Sequence, residues 1–135
     1  MLRSLLIIPA LGALLASCTT GYDEQVSSRQ ATAFDAELAG LAPQQARNCL
    51  PTRSNANVVA ARGRTLLFRD GPTVWANETT GGCAALADQH YTMVTESFGG
   101  SPLCRGSFVK VVDLTGGGLL RGSCALGDFT PYRRP

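Results

Sequence analysis

The chain has 135 residues, 44% of them apolar and 16% charged. That length holds one domain of ordinary size rather than two. A net charge of +2, with no run of four basic residues, excludes the electrostatic footprint of a nucleic-acid binder or of a partner for strongly acidic surfaces.

The chain opens Met1-Leu2-Arg3-Ser4, one positive charge, and continues with an apolar or small stretch from Leu5 to Leu15. A basic start, an apolar run of about ten residues and small residues before a cut site make a secretory signal. The run is shorter than the roughly 20 apolar residues a membrane span requires. Leu15-Ala16-Ser17-Cys18 matches the bacterial lipobox at all four positions. This resemblance implies cleavage before Cys18, diacylglycerol on its thiol and acylation of the new N-terminus. Several acyl chains anchor firmly, because each buried CH₂ contributes about 0.8 kcal/mol. Thr19 rather than Asp follows the cysteine, which by enterobacterial sorting rules points to the outer membrane.

Residues 18–27 are polar and read as a tether. Ala31, Phe34, Leu38 and Leu41 recur at spacings of three, four and three, which predicts a helix near 28–40, stopped by Gly40 and Pro43. Pro43 could also open a short helical turn over 43–47, where a first-position proline is tolerated. The chain thus divides into a signal (1–17), a tether (18–27), a helical segment (28–47) and a β-rich domain (48–135).

From Cys49 the texture changes to Val-, Thr- and aromatic-rich runs punctuated by Gly, Pro, Asn and Asp. Strands are predicted at Val58–Ala61, Thr65–Arg69, Thr73–Glu78, Tyr91–Phe98, Ser107–Leu114 and Leu119–Cys124. Asp70-Gly71 between two of them is a strong hairpin signal, and Pro72 suits the start of the next strand. The fold class expected is all-β, mainly antiparallel, a small barrel or sandwich of about six strands behind one N-terminal helix. Phe68, Phe98, Phe108, Val111 and Leu114 are assigned to the core, and 107–114, apolar on both faces, to a central strand.

Five cysteines occur, at 18, 49, 83, 104 and 124. With Cys18 lipidated, four remain, and an even number in an exported chain predicts two disulfides. Of the three pairings, Cys83–Cys104 and Cys49–Cys124 are expected, with chain-entropy contributions of roughly 3 and 4.5 kcal/mol. A zinc site is disfavoured because no C-x-x-C pair exists and His90 is the only histidine.

No catalytic set stands out. G-x-S-x-G and a phosphate-loop pattern are absent, and the glycine clusters read as turns. His90 is the only imidazole for a general base, and Glu78, Asp88, Glu96 and Asp113 are carboxylates by type alone. Trp75 and Tyr91 are the candidate ligand surface, although a single Trp in a strand is more often core. Asn77-Glu78-Thr79 matches a glycosylation acceptor, expected to stay unmodified in a bacterial protein.

Several local motifs recur together: Asn48-Cys49-Leu50-Pro51, Arg64-Thr65-Leu66-Leu67-Phe68, Cys83 with Leu86, Leu103-Cys104, Gly117-Gly118, Arg121-Gly122, and Cys124-Ala125-Leu126-Gly127-Asp128-Phe129. In these the chain from Cys49 onward resembles a domain-of-unknown-function family of small exported proteobacterial proteins, common in alphaproteobacteria such as sphingomonads. The resemblance implies export, an all-β domain and structural cysteines, and it implies no activity. Family members often carry Asp where Ser107 follows Gly106, so no catalytic carboxylate is expected at that turn.

The function expected is therefore that of a lipid-anchored, periplasm-facing envelope protein, with the outer membrane favoured over the inner. Its role is expected to be binding or interaction rather than catalysis, with no cofactor and no metal. Its partners would be the membrane through the lipid and an envelope protein or small ligand, not nucleic acid. The alternatives are a small-molecule or glycan-binding barrel using Trp75 and Tyr91, and a cell-wall hydrolase using His90 or paired acids.

Overall fold

The computed structural model of the chain describes residues 20–51, 56–88, 90–95 and 101–135, with side chains from Ser28 onward. The expected signal, Cys18, Glu96 and Phe98 lie outside the described residues. One helix, α1 (Thr20–Leu38), precedes nine strands: β1 (Ala42–Pro43), β2 (Asn57–Arg62), β3 (Thr65–Asp70), β4 (Thr73–Glu78), β5 (Thr80–Gly81), β6 (Tyr91–Thr95), β7 (Phe108–Asp113), β8 (Leu119–Ala125) and β9 (Phe129–Arg133). A 3₁₀ turn spans Ala84–Ala87. The all-β expectation holds, with every pairing antiparallel.

The strands form two sheets, ordered β1-β9-β4-β3-β2 and β5-β8-β7-β6. They are not independent. Only Thr79 separates β4 from β5, and only three residues separate β8 from β9. Asn77 faces Phe129 in the first sheet and Thr80 faces Ala125 in the second, so one ladder runs through both with a one-residue step. A single bent ribbon therefore joins the sheets, and its bend turns two flat layers into a partly open barrel. The 3₁₀ turn packs against both β2 and β6, the outer strands of the two sheets, and buries Leu86 at the seam.

The ribbon's corner interrupts regular backbone pairing, and a side chain takes over. Asn77, fully buried, donates through Nδ2 to the carbonyls of Gly127 (2.8 Å) and Asp128 (3.2 Å) and accepts from Gly127 N–H (2.9 Å). Thr79 Oγ1 donates to the Arg64 carbonyl at 2.8 Å. Both ends of the glycosylation-like triplet are thus internal structural groups. Gly127 is required by space, since a Cβ there would overlap the Glu78 carbonyl oxygen.

Hairpin chemistry follows the sequence. Both two-residue turns of the first sheet place glycine first, Gly63 at φ +58° and Gly71 at φ +57°, a left-handed conformation that admits glycine without steric cost. Alternation along β3 and β4 sends Leu66, Phe68 and Trp75 into the core between the sheets, joined by Phe129 from β9 of the same sheet, with Val109 and Val111 opposite. The other set, Leu67 and Val74, joins Ala60 beneath Phe34 of α1, with Leu38 and Leu41 at the margin. Arg62 lies 4.2 Å over the Phe34 ring and pairs with Asp35 at 2.8 Å, and Arg69 pairs with Glu37. The first sheet is therefore covered on both faces.

Five expectations require correction. The helix begins at Thr20, inside the segment read as a tether, and ends at Leu38. Residues 43–47 are extended rather than helical, because the edge of β9 offers them backbone partners. Gln44 N–H donates to the Pro131 carbonyl, and Arg47 and Phe129 exchange both bonds, all at 2.8 Å. Strand β9 is absent from the predicted strands because Pro131 sits mid-strand. Pro131 directs its carbonyl, and hence its nitrogen, towards β1 and away from β4, so the missing N–H removes no bond from the β4 ladder. Phe108 and Leu114 are 73% and 61% exposed rather than core, since the inward set of β7 is Val109, Val111 and Asp113.

The disulfides join Cys49 to Cys104 and Cys83 to Cys124, not Cys83 to Cys104 and Cys49 to Cys124. Register decides this. Leu50 N–H donates to the Leu103 carbonyl and Arg105 N–H to the Asn48 carbonyl. Cys49 and Cys104 are thereby the close, non-hydrogen-bonded pair between two ladder bonds. Cys124 faces Gly81 across the β5–β8 pair, and Cys83 lies just beyond β5.

Candidate binding surface

The second sheet is asymmetric. Its inner face packs into the core through Val109, Val111 and Cys124, while its outer face carries large exposed apolar groups. The register sets Val94 beside Lys110 and Ser123, Val112 beside Leu120 with Thr92 behind it, and Phe108 beside Ala125. Phe108 (73%), Leu120 (61%) and Val94 (43%) are exposed there, and Leu114 (61%) and Leu119 (58%) flank the β7–β8 turn.

That turn contains three consecutive glycines, yet it is tightly held. Asp113 is 5% exposed and its carboxylate accepts five hydrogen bonds. Its Oδ1 takes Thr115 Oγ1–H (2.7 Å), Thr115 N–H (2.9 Å) and Gly116 N–H (3.0 Å). Its Oδ2 takes Arg121 Nε–H (3.2 Å) and Nη2–H (3.0 Å), and its carbonyl accepts from Gly118 N–H at 3.0 Å. The Thr115 hydroxyl above all, then the Gly116 and Thr115 amides and Arg121, hold the carboxyl down at about 2. Arg121 reaches it because β8 carries a bulge: Val111 faces Gly122 but Val112 faces Leu120, leaving Arg121 as the extra residue. Asp113 is thus a structural anion that presents Leu114 and Leu119 on a fixed loop. The sequence signal for it is an Asp followed closely by Thr-Gly at a strand end, a side chain positioned to bond its own turn.

The other candidate residues scatter. Trp75 is 1% exposed between the sheets. Tyr91 is half-buried and lines a small cleft of about 240 Å³ with Val58, Leu86 and Met93. The two rings therefore do not form one ligand surface. His90 is exposed, and its Nδ1 lies 2.7 Å from Asp88 Oδ1. The Asp88 carboxyl is held below its ordinary range, first by the His90 backbone N–H and then by the imidazole. Glu78 pairs with Arg64 on the surface at 3.2 Å. Asp88 and His90 lie beside the Asp113 turn, where the His90 carbonyl accepts Leu114 N–H at 2.8 Å and the Asp113 charge acts on Asp88, but both Asp113 oxygens are already taken by the turn and Arg121. The four described cysteines are all bridged, and no cluster of three metal-ligating side chains occurs among the described residues. No helix among them is long and apolar enough to cross a membrane.

The domain is thus asymmetric, with one sheet face covered by α1 and one bare sheet face carrying exposed apolar groups. Comparison with protein-family models, curated proteins and solved structures finds no match to this chain.

Proposed function

We propose that this protein is a lipid-anchored component of the cell envelope that acts by binding a protein partner, and that the outer face of β6–β8 with its hairpin tip is the binding face. One observation carries the reading. Five large apolar side chains, 43–73% exposed, gather on one sheet and its turn, while the corresponding face of the other sheet is covered by α1. Scattered exposed apolar residues are ordinary, whereas a grouped set mixed with Lys110, Thr92 and Ser123 has the composition of an interaction surface. The clamped turn supports the same reading, since a rigid loop loses less entropy on docking.

The lipobox at Leu15–Cys18 supports the anchor, and two disulfides suit an oxidising envelope compartment. Helix α1 begins two residues beyond Cys18, and its turns ahead of the Phe34 contact with the first sheet would space the bilayer from the domain. The dispersal of Trp75 and Tyr91 weighs against the glycan-binding alternative, and the exposed position of the His90–Asp88 pair against the hydrolase.

The test is site-specific photocrosslinking in cells from position 108 and, as a control, from position 29 on α1. A discrete adduct from position 108, lost in the folded Leu114→Ser/Leu120→Ser variant, is expected. Identical adduct patterns from both positions would refute the assigned face. Cys18→Ser should lose lipid labelling and membrane association; retention of both would refute the anchor.

A further inference from the structure

A second feature lies away from the apolar sheet face. At the end of the first sheet, a cleft of about 820 Å³ opens between the C-terminal end of α1, the β3–β4 turn and the end of β9. Its apolar lining comes from Ala36, Ala39, Leu41, Pro72 and Val74, and three guanidinium groups border it, from Arg69, Arg133 and Arg134. Glu37 is the only acidic residue of the lining, and it is paired with Arg69. The formal charge of the lining is three arginines less one glutamate, +2.

The three arginines differ in what they have free. Arg69 is committed to Glu37 through both Nε and Nη2. Arg133 donates Nε–H to Thr73 Oγ1 at 3.1 Å, which fixes the plane of its guanidinium while its two terminal nitrogens make no hydrogen bond among the described residues. Arg134 makes no ion pair or side-chain hydrogen bond among the described residues. Consecutive strand residues normally point to opposite faces, but β9 ends at Arg133, so both line the same cleft. The helix C-terminus at the far rim carries partial negative charge, which places an anion at the Arg133–Arg134 side and leaves the Ala36, Ala39 and Leu41 side for an apolar group.

We propose that this cleft binds an amphipathic phosphate monoester, with Arg133 and Arg134 gripping the phosphate and the Ala36, Ala39 and Leu41 side holding the attached hydrocarbon. Two planar forks supply more donors than a carboxylate can accept, and three terminal phosphate oxygens match them. The +2 lining matches a phosphomonoester, which carries about −1.5 to −2 at pH 7. Such a group reaches an envelope protein either as a free amphiphile or as a lipid headgroup.

The test uses purified Cys18→Ser chain titrated calorimetrically with n-octyl phosphate and with inorganic phosphate, followed by co-sedimentation with phosphatidylcholine vesicles with and without phosphatidic acid. Octyl phosphate should bind at least about tenfold more tightly than inorganic phosphate, because only it fills the apolar side. Arg133→Gln/Arg134→Gln should weaken it by about tenfold or more, and Arg134→Gln alone, which removes no structural contact, by about fivefold. Arg105→Gln, at a surface pair with Asp128 remote from the cleft, should leave it unchanged. Co-sedimentation that needs both phosphatidic acid and Arg134 supports the site and assigns it to a headgroup. Octyl phosphate binding without co-sedimentation supports it and assigns it to a free amphiphile. Absence of octyl phosphate binding, or binding that survives Arg134→Gln undiminished, overturns the proposal. The apolar face of β6–β8 plays no part in any of these readouts.

Discussion

The corner at Asn77 provides the sharpest test of how the two sheets are joined. Its side chain makes three hydrogen bonds to the opposing strand of the ribbon, at 2.8, 3.2 and 2.9 Å, with the residue itself fully buried. Asn77→Ala removes all three and orphans the Gly127 amide and carbonyl. Two bonds to half-buried Gly127 at about 1 kcal/mol each, and about half that for the more exposed Asp128 carbonyl, sum to about 2.5 kcal/mol. For a domain of this size that lowers the melting temperature by about 10 °C. Asn77→Asp keeps the shape but inverts the chemistry. A carboxylate can accept from Gly127 N–H, yet it then faces two carbonyl oxygens. Asn77→Asp should therefore be at least as unstable as Asn77→Ala at neutral pH. Its deficit relative to wild type should shrink on acidification, as protonation restores a donor. Urea unfolding of the oxidised proteins, followed by far-ultraviolet circular dichroism at neutral and mildly acidic pH, reads both effects. If Asn77→Ala costs less than about 0.5 kcal/mol, or Asn77→Asp matches wild type at neutral pH, the corner is not held by this side chain.

Other consequences are as direct. Gly127→Ala should destabilise by about 2 kcal/mol, because backbone on the facing strand cannot yield to the added methyl; chemical denaturation checks it. Non-reducing peptide mapping should recover Cys49–Cys104 and Cys83–Cys124, and a Cys83–Cys104 peptide would contradict the register. With 41 residues of separation, loss of Cys83–Cys124 in a double Ala variant should cost about 4 kcal/mol by chain entropy. Asp113 titrates at about 2 when folded against an ordinary 3.8, so it favours the folded state above pH 3.8 and loses that contribution as pH falls through 2. The stability gap between wild type and Asp113→Asn should accordingly narrow over that window, as followed by thermal melts. Phe34→Ala, which empties the contact between α1 and the first sheet, should cost about 3 kcal/mol of helix docking. It should show as faster proteolysis within α1 while the barrel remains intact.

Elements whose signal is local are legible in the amino-acid sequence. The Asp70-Gly71-Pro72 turn and the alternation on either side of it place β3 and β4, because turn chemistry and a period of two act within a few residues. Cysteine parity indicates two bridges. The residues that sequence reasoning misplaces are those whose state depends on a distant neighbour. Phe108 has the type of a core residue, but type does not say which face of a sheet another layer will cover. Pro131 is a strand breaker unless its nitrogen turns away from the partner ladder, which only the register reveals. Asn77 reads as a surface acceptor until Gly127, fifty residues on, is brought against it. Arg133 and Arg134 are merely adjacent charges in the sequence, and only the packing of α1 and the β3–β4 turn places them at the border of a cleft.

Periodicity, turn residues and the count of cysteines were enough to specify antiparallel β-structure behind one helix, with paired thiols, because those are properties of short stretches of chain. Which thiols meet, which face of each sheet is sealed and which apolar residues reach solvent were decided by the bent ribbon of β4–β5 and β8–β9. Strand register fixes those contacts across forty to fifty residues, and a shift of one residue would turn every side chain on the strand to the opposite face.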